Sequence, residues 1–310
     1  MKASLIKRRR LYDIYFQQVL SPCSRYVTVC SKSGRLVVFD ILAALKPSDP
    51  IRSSVRQWNA HDGPIYSIVG FDDYLISASV GEICAWANDG VAETNSLRYK
   101  WRIALKNKVD INCIITLPED KICAACSDAT LQIFDISNGQ LISSLVGHEK
   151  AILWAAKKGH NGVVTASEDG SARIWDVRMK NVTGVIKQSD NSSWKSAIAV
   201  DSSEQWMVLG GDDDLALWHL PSLSKTSMLD CQGASTNWVE FEDEILSAHS
   251  DGKVRRFSAD GLSLSSVSTS HSSVYHVLHS DHVMTSCGRG CNVDVYTNSR
   301  YVAFSLAEAV

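Results

Sequence analysis

Short apolar stretches that end in an aromatic side chain recur along the chain. They are LVVF ending at Phe39, EICAW at Trp86, LQIF at Phe134, ARIW at Trp175, LALW at Trp218, KVRRF at Phe257 and VDVY at Tyr296. Successive ends lie 47, 48, 41, 43, 39 and 39 residues apart. Ahead of each lies a second stretch of β-branched and small apolar residues: YVTVCS, YLISAS, KICAACS, VVTAS, WMVLGG, EILSAHS and HVMTSCG. Such runs, bounded by turn residues, predict strands. Seven units with a period near forty predict an all-β fold, a seven-bladed β-propeller.

The fourth unit shows the internal order. AILWAAK (151–157) reads as the inner strand, VVTAS (163–167) as the second, SARIWD as the third and VTGVIK as the outer one. Glu168-Asp169-Gly170 is a tight turn, since Asp-Gly tolerates positive φ. The blades are expected near 12–58, 59–104, 105–146, 147–189, 190–230, 231–269 and 270–307, in a single domain over 1–310. After Tyr296 the last unit continues through 297–300 into YVAFSL (301–306). The seventh blade is therefore expected to be closed by its own C-terminal strand, built from residues after about His271, with no N-terminal strand exchanged into it. The first dozen residues break the pattern and read as a short helix.

Composition narrows the class. Apolar residues make up 45% and charged residues 21%, and 31 basic against 34 acidic side chains give a net charge of −3. That balance removes the main electrostatic argument for direct nucleic-acid binding. MKASLIKRRRLYDIYF carries charges where a secretory h-region belongs, and no run of 18 apolar residues predicts a membrane span. The nine cysteines read as free, mostly buried thiols of a reducing compartment. Lys7-Arg8-Arg9-Arg10 is a candidate nuclear import signal, against the alternative of a solvated N-terminal segment.

The repeat resembles the WD-repeat family over essentially the whole chain. In that family a His on the loop leading into a blade bonds an Asp in the turn between the second and third strands. A Ser or Thr and the third-strand Trp complete the group. The resemblance places these roles on His148, Asp169, Thr165 and Trp175 of the fourth blade. The second blade has His61, Ser77 and Trp86, but Val80 falls near the Asp position; the sixth has Asp251-Gly252 but Phe257 and no matched His. Only the fourth blade carries the full set, so most others are expected to rest on apolar packing alone.

Candidate chemistry is sparse. Glu168 and Asp169 are neighbours in a turn, whereas paired catalytic carboxylates face each other across a substrate. Asp212-Asp213-Asp214 occupies the same turn of the fifth blade and reads as a solvated acidic turn rather than a calcium site. Cys123 and Cys126 have CxxC spacing, but on a strand residues three apart face opposite ways. Cys287 and Cys291 supply no second pair of suitable spacing. His271, His276, His279 and His282 lack constant ligand spacing. No phosphate loop, nucleophile elbow or HExxH is present. The expectation is a protein that is not an enzyme and uses no metal or cofactor.

QWNAHDGPIYSIV, WMVLGGDDDLALWHL, SPCSRYV and, above all, NVDVYTNSRYVAFSL resemble the subunit 6 family of the THO complex. The resemblance implies a nuclear, non-enzymatic scaffold of the THO/TREX assembly in mRNA processing, splicing and export. It implies docking on the coiled-coil subunits 5 and 7, a part in joining copies of the complex, and mostly indirect RNA contact. The long connections ILAALKPSDPIRSS (41–54) and ANDGVAETNSLRYK (87–100) are candidate partner surfaces, with Lys46, Arg52, Arg98 and Lys100 as contacts. A second reading uses Trp175-Asp176-Val177-Arg178, which fits the WDxR ending of substrate receptors of cullin-type ubiquitin ligases; there Arg178 would contact the ligase adaptor. A third, direct RNA binding, rests only on KWRIALKNK (100–108).

Overall fold

The computed structural model describes residues 13–308, except 47, 49, 72–73, 88–98, 106, 188–192, 213, 281–282 and 298–300. Seven four-stranded antiparallel sheets, each made of consecutive strands, span residues 15–59, 65–104, 111–146, 152–187, 195–228, 236–268 and 274–307. We number them blades 1 to 7. The seven repeating aromatics all lie on third strands.

The pattern of burial explains why the chain folds this way. Second strands are buried on both faces, which accounts for their near-continuous apolar composition, and third strands are buried over much of their length. Seven apolar clusters result, and each joins two neighbouring blades rather than filling one. Trp86, for example, packs with Leu36 and Val38 of blade 1, whereas Ile76 and Ile83 of the same blade face Ile111 and Phe134 of blade 3. The core is thus a ring of seven seams. A fully buried aliphatic side chain contributes about 1.5–3 kcal/mol, so these seams carry most of the favourable term.

The inner strands add polar stitching. Each carries a one-residue register shift at the end where it begins, the bulge that bends a strand around the axis. Side chains near the bulge reach the next blade's backbone. Gln17 accepts from the Ile68 N–H at 2.8 Å, and Ser67 from that of Ile114 at 3.0 Å. Asn112 donates to the Ile152 carbonyl at 2.8 Å, and Asn237 to that of Val274 at 2.7 Å.

Blade 7 is complete within residues 274–307, its outer strand being Phe304–Ala307. Ring closure therefore uses side chains and one backbone bridge. Gln18 of blade 1 donates to the Thr285 carbonyl at 2.8 Å. Glu308 accepts from Arg35 at 2.6 Å and from the Tyr15 hydroxyl at 2.7 Å, while Asp13 holds the other side of Arg35 at 2.7 Å. Ser53 pairs in parallel with Ala307. The expected short N-terminal helix lies outside the described residues.

Candidate functional site on the loop face

Two faces of the ring differ. One carries the loops leading into blades and the turns between second and third strands; we call the meeting point of these a corner. The other carries the connections from third to outer strands, together with the turns that follow the inner strands.

The corner of blade 4 brings the four expected side chains together. His148 sits with Nδ1 2.8 Å from Asp169 and Nε2 2.7 Å from the Thr165 hydroxyl, which also accepts from the Trp175 indole at 2.8 Å. Burial lowers the His148 pKa, so the ring is neutral near pH 7. Burial also works against ionised Asp169, yet the Ser171 hydroxyl, the Glu149 N–H and the His148 ring hold its carboxyl well below the usual range. Every polar group is paired, which fixes the register of the turn.

The other blades correct the expectation of apolar packing alone. Blade 2 has a turn one residue shorter, which deletes the Asp position. Glu82, the first residue of its third strand, supplies the carboxylate instead. Its oxygens meet His61 Nδ1 at 2.5 Å and the Arg102 guanidinium, while Ser77 bridges His61 and Trp86 at 2.7 and 2.9 Å. Blade 5 replaces the pair by Lys195, buried, with Nζ 2.6 Å from both oxygens of Asp214. Asp214 is thus an ion-pair partner and not part of a solvated turn; Asp213 lies outside the described residues. Blade 6 ties buried Arg255 to Asp251 at 2.6 Å and Ser247 to His249 at 2.8 Å. Blade 7 joins Ser286 to the Tyr296 hydroxyl at 2.8 Å and buries Asp294 among Ser270, Asn292 and Ser305. Blades 1 and 3 fit the apolar expectation at the inner positions: Val29 and Phe39 in blade 1, and Ala124 and Phe134 in blade 3, stand where Thr165 and Trp175 stand in blade 4.

The remaining candidate ligands are dispersed. Cys123 and Cys126 pack into the clusters of two different seams, and burial raises both thiols, Cys126 to about 12. His271 and His276 are buried, His279 is exposed, and His282 lies outside the described residues. Among the described residues His61, Glu82 and Cys84 lie close enough to share an ion, but protein partners already occupy the ring nitrogens and carboxylate.

On the loop face the connection 41–54 is not a free loop. Asp40 caps a single helical turn, Ile41–Ala44, by accepting from the Ala43 N–H at 2.9 Å. Ile41 and Ala44 enter the blade 7–blade 1 cluster. At its far end the Arg52 carbonyl accepts from the Ala307 N–H at 3.0 Å, and the Arg52 guanidinium lies 4.6 Å over the Phe304 ring. What stays outside is Leu42 (55% exposed) and Ile51 (47%), with Lys46 and Arg52 beside them in sequence and Tyr301 (57%) on the adjoining blade 7 segment. Lys100 is exposed on the outer strand of blade 2, and Arg98 lies outside the described residues. Lys7, Arg8, Arg9 and Arg10 also lie outside them. Arg178 is exposed and bonded to Asp176 at 2.7 Å, two residues away.

Seven sheets around an axis, one with the complete His–Asp–Thr–Trp corner, define a WD-repeat β-propeller. A family profile described as WD domain, G-beta repeat, matches residues 139–176, the stretch that holds that corner. Over 96% of its length the chain is 31% identical to the THO complex subunit 6 homolog of Danio rerio, covering 98% of that protein. It is 29% identical to THO complex subunit 6 of Homo sapiens, over 96% of this chain and 94% of the relative. THO complex subunit 6 of Arabidopsis thaliana matches at 28% over 77% of this chain and 73% of that protein. The chain belongs to the THO complex subunit 6 family.

Proposed function

We propose that the protein is a non-enzymatic scaffold subunit of a nuclear THO/TREX complex that acts in mRNA processing and export, with RNA contact mostly indirect. The reading rests on family membership and on the surface left by the connection 41–54. A buried helical turn at one end and a bond to blade 7 at the other anchor the stretches that carry Leu42 and Ile51, so these side chains are presented with little ordering cost. Apolar side chains rimmed by Lys46 and Arg52 suit an amphipathic helix with acidic flanks, the chemistry of a coiled-coil partner. We assign that role to subunits 5 and 7, with Arg98 and Lys100 as further contacts, and nuclear import to Lys7–Arg10. Lys46→Glu with Arg52→Glu should abolish co-purification of the coiled-coil subunits while the propeller stays folded; retained co-purification would sink the assignment.

The ligase reading uses Arg178. Its pairing with Asp176 is local and exposed, the kind of ion pair worth little to stability, so the side chain is free to exchange partners. Arg178→Ala separates the two readings, since adaptor binding should vanish and THO assembly survive.

A further inference from the structure

The inner strands enclose a well on the propeller axis, about 620 Å³, lined down to Thr116, Lys157 and Glu242 at the loop face. Deeper in, Trp154, Trp238 and His276 line it. Trp154 belongs to blade 4 yet packs against the cluster that holds Trp238 of blade 6 and Val277 of blade 7. Those blades are not its neighbours, so the indole crosses the axis. The His276 ring lies 4.9 Å from that of Trp238 and is buried, with Nδ1 lacking any partner. Burial pushes its pKa down to about 3, so it is neutral.

Two residues nearer the mouth, each inner strand presents its fifth residue. Six blades place an aliphatic side chain there: Val19, Val69, Ile115, Ala156, Ala199 and Leu278. Blade 6 places Glu240. Glu240 is half-buried and, among the described residues, has no hydrogen-bond or ion-pair partner. Burial, with Glu242 close by, pushes its carboxyl up to about 7. A carboxyl at an aliphatic position is unfavourable unless something pairs with it, and no packing requirement explains it.

We propose that this well binds a guanidinium or alkylammonium group, presented as an arginine or lysine side chain of a partner, with Glu240 as its charge partner and Trp154 and Trp238 as its aromatic floor. The chemistry favours a cation over the alternatives. Indole faces attract cations most strongly when water is excluded. An anion would face both Glu240 and Glu242, and an apolar ligand would bury the carboxyl unpaired. Neutral His276 adds no repulsion. Among the described residues Lys157, on the rim of blade 4, is the one cation that lines the well. The inference is independent of the scaffold role.

Calorimetric titration of the whole protein tests it. A blocked Ala-Arg-Ala peptide should bind saturably, and the isosteric norleucine peptide should not. Glu240→Gln should weaken binding at least tenfold, Glu242→Gln two- to threefold, and Lys157→Ala should strengthen it about twofold. The titratable groups lining the well are Glu240, Glu242, Lys157, His276 and Cys113. At pH 7 only Glu240 should release a proton on binding, seen as a heat that varies with the buffer and disappears in Glu240→Gln. Glu240→Leu, which completes the aliphatic ring, should stay folded and bind nothing. Methylguanidinium is the second arm: weaker binding than the peptide assigns the ligand to a partner's side chain, and tighter binding overturns that source in favour of a free organic cation. Equal binding of the norleucine peptide, or unchanged affinity in Glu240→Gln, overturns the proposal.

Discussion

Blades 3 and 4 stand side by side and hold the same corner by opposite means. Blade 4 uses a closed set of hydrogen bonds from His148, Asp169, Thr165 and Trp175. Blade 3 has Ala124 and Phe134 at the inner positions, and its turn carboxylate, Asp128, serves only Thr130 in the same turn. Both strand pairs keep the same register around the ring. The propeller therefore does not require one chemistry at its corners. Blade 5 shows the cost of a half change. Leu209 stands where Thr165 stands in blade 4, and the Trp218 indole N–H is left buried without a partner.

Thr165→Val tests this most severely. It strands the Trp175 indole and one His148 nitrogen together, and should lower stability by about 3 kcal/mol in chemical denaturation. Ala124→Thr is the mirror experiment: a hydroxyl set against Phe134 with no partner should cost about 2 kcal/mol. If either change is silent, the two corners are not alternatives and the comparison fails.

Acid sharpens the contrast, because blade 3 contributes no corner histidine. Burial lowers the pKa of His61, His148, His249, His271 and His276. The unfolded chain takes up these protons first, so stability should fall as pH drops below about 6.5. Depressed Asp169 adds a further loss once pH falls below about 4, where its unfolded carboxyl protonates. Glu240 runs the other way. Its folded pKa is raised to about 7, so its contribution is present below the unfolded value and lost as pH rises towards 7. Glu240→Gln should therefore steepen the rise of stability between pH 5 and 6.5; an unchanged slope would show that Glu240 titrates normally. The smallest effect is expected from Trp218→Phe. Removing an orphaned donor should leave stability within about 0.5 kcal/mol of the parent or raise it.

The blade pattern was legible in sequence because it is local. Seven aromatics at near-regular spacing mark seven third strands, and Tyr301–Leu306 pointed to a self-contained last blade, although its outer strand begins only at Phe304. The corners were legible only where residues matched a familiar set. Glu82 was missed because a one-residue deletion moved the carboxylate from the turn onto the strand. The Lys195–Asp214 pair was missed because a lysine at the start of an apolar strand reads as exposed. The axial well could not be read at all: Trp154, Glu240 and His276 meet only when the ring closes, and Glu240 alone in a strand is an ordinary surface residue. Its signal was comparative, one acid among seven aligned fifth positions.

The contacts of Glu308 have a kinetic consequence. Within each blade, strands pair with the next stretch of chain, so four-stranded units can form through short loops. The bonds from Glu308 to Tyr15 and Arg35 span 293 and 273 residues. Loop closure over such distances is slow and costs the most chain entropy. The junction of blades 7 and 1 should therefore form last in refolding and open first under hydrogen exchange, making it the clasp on which the cooperativity of the whole ring depends.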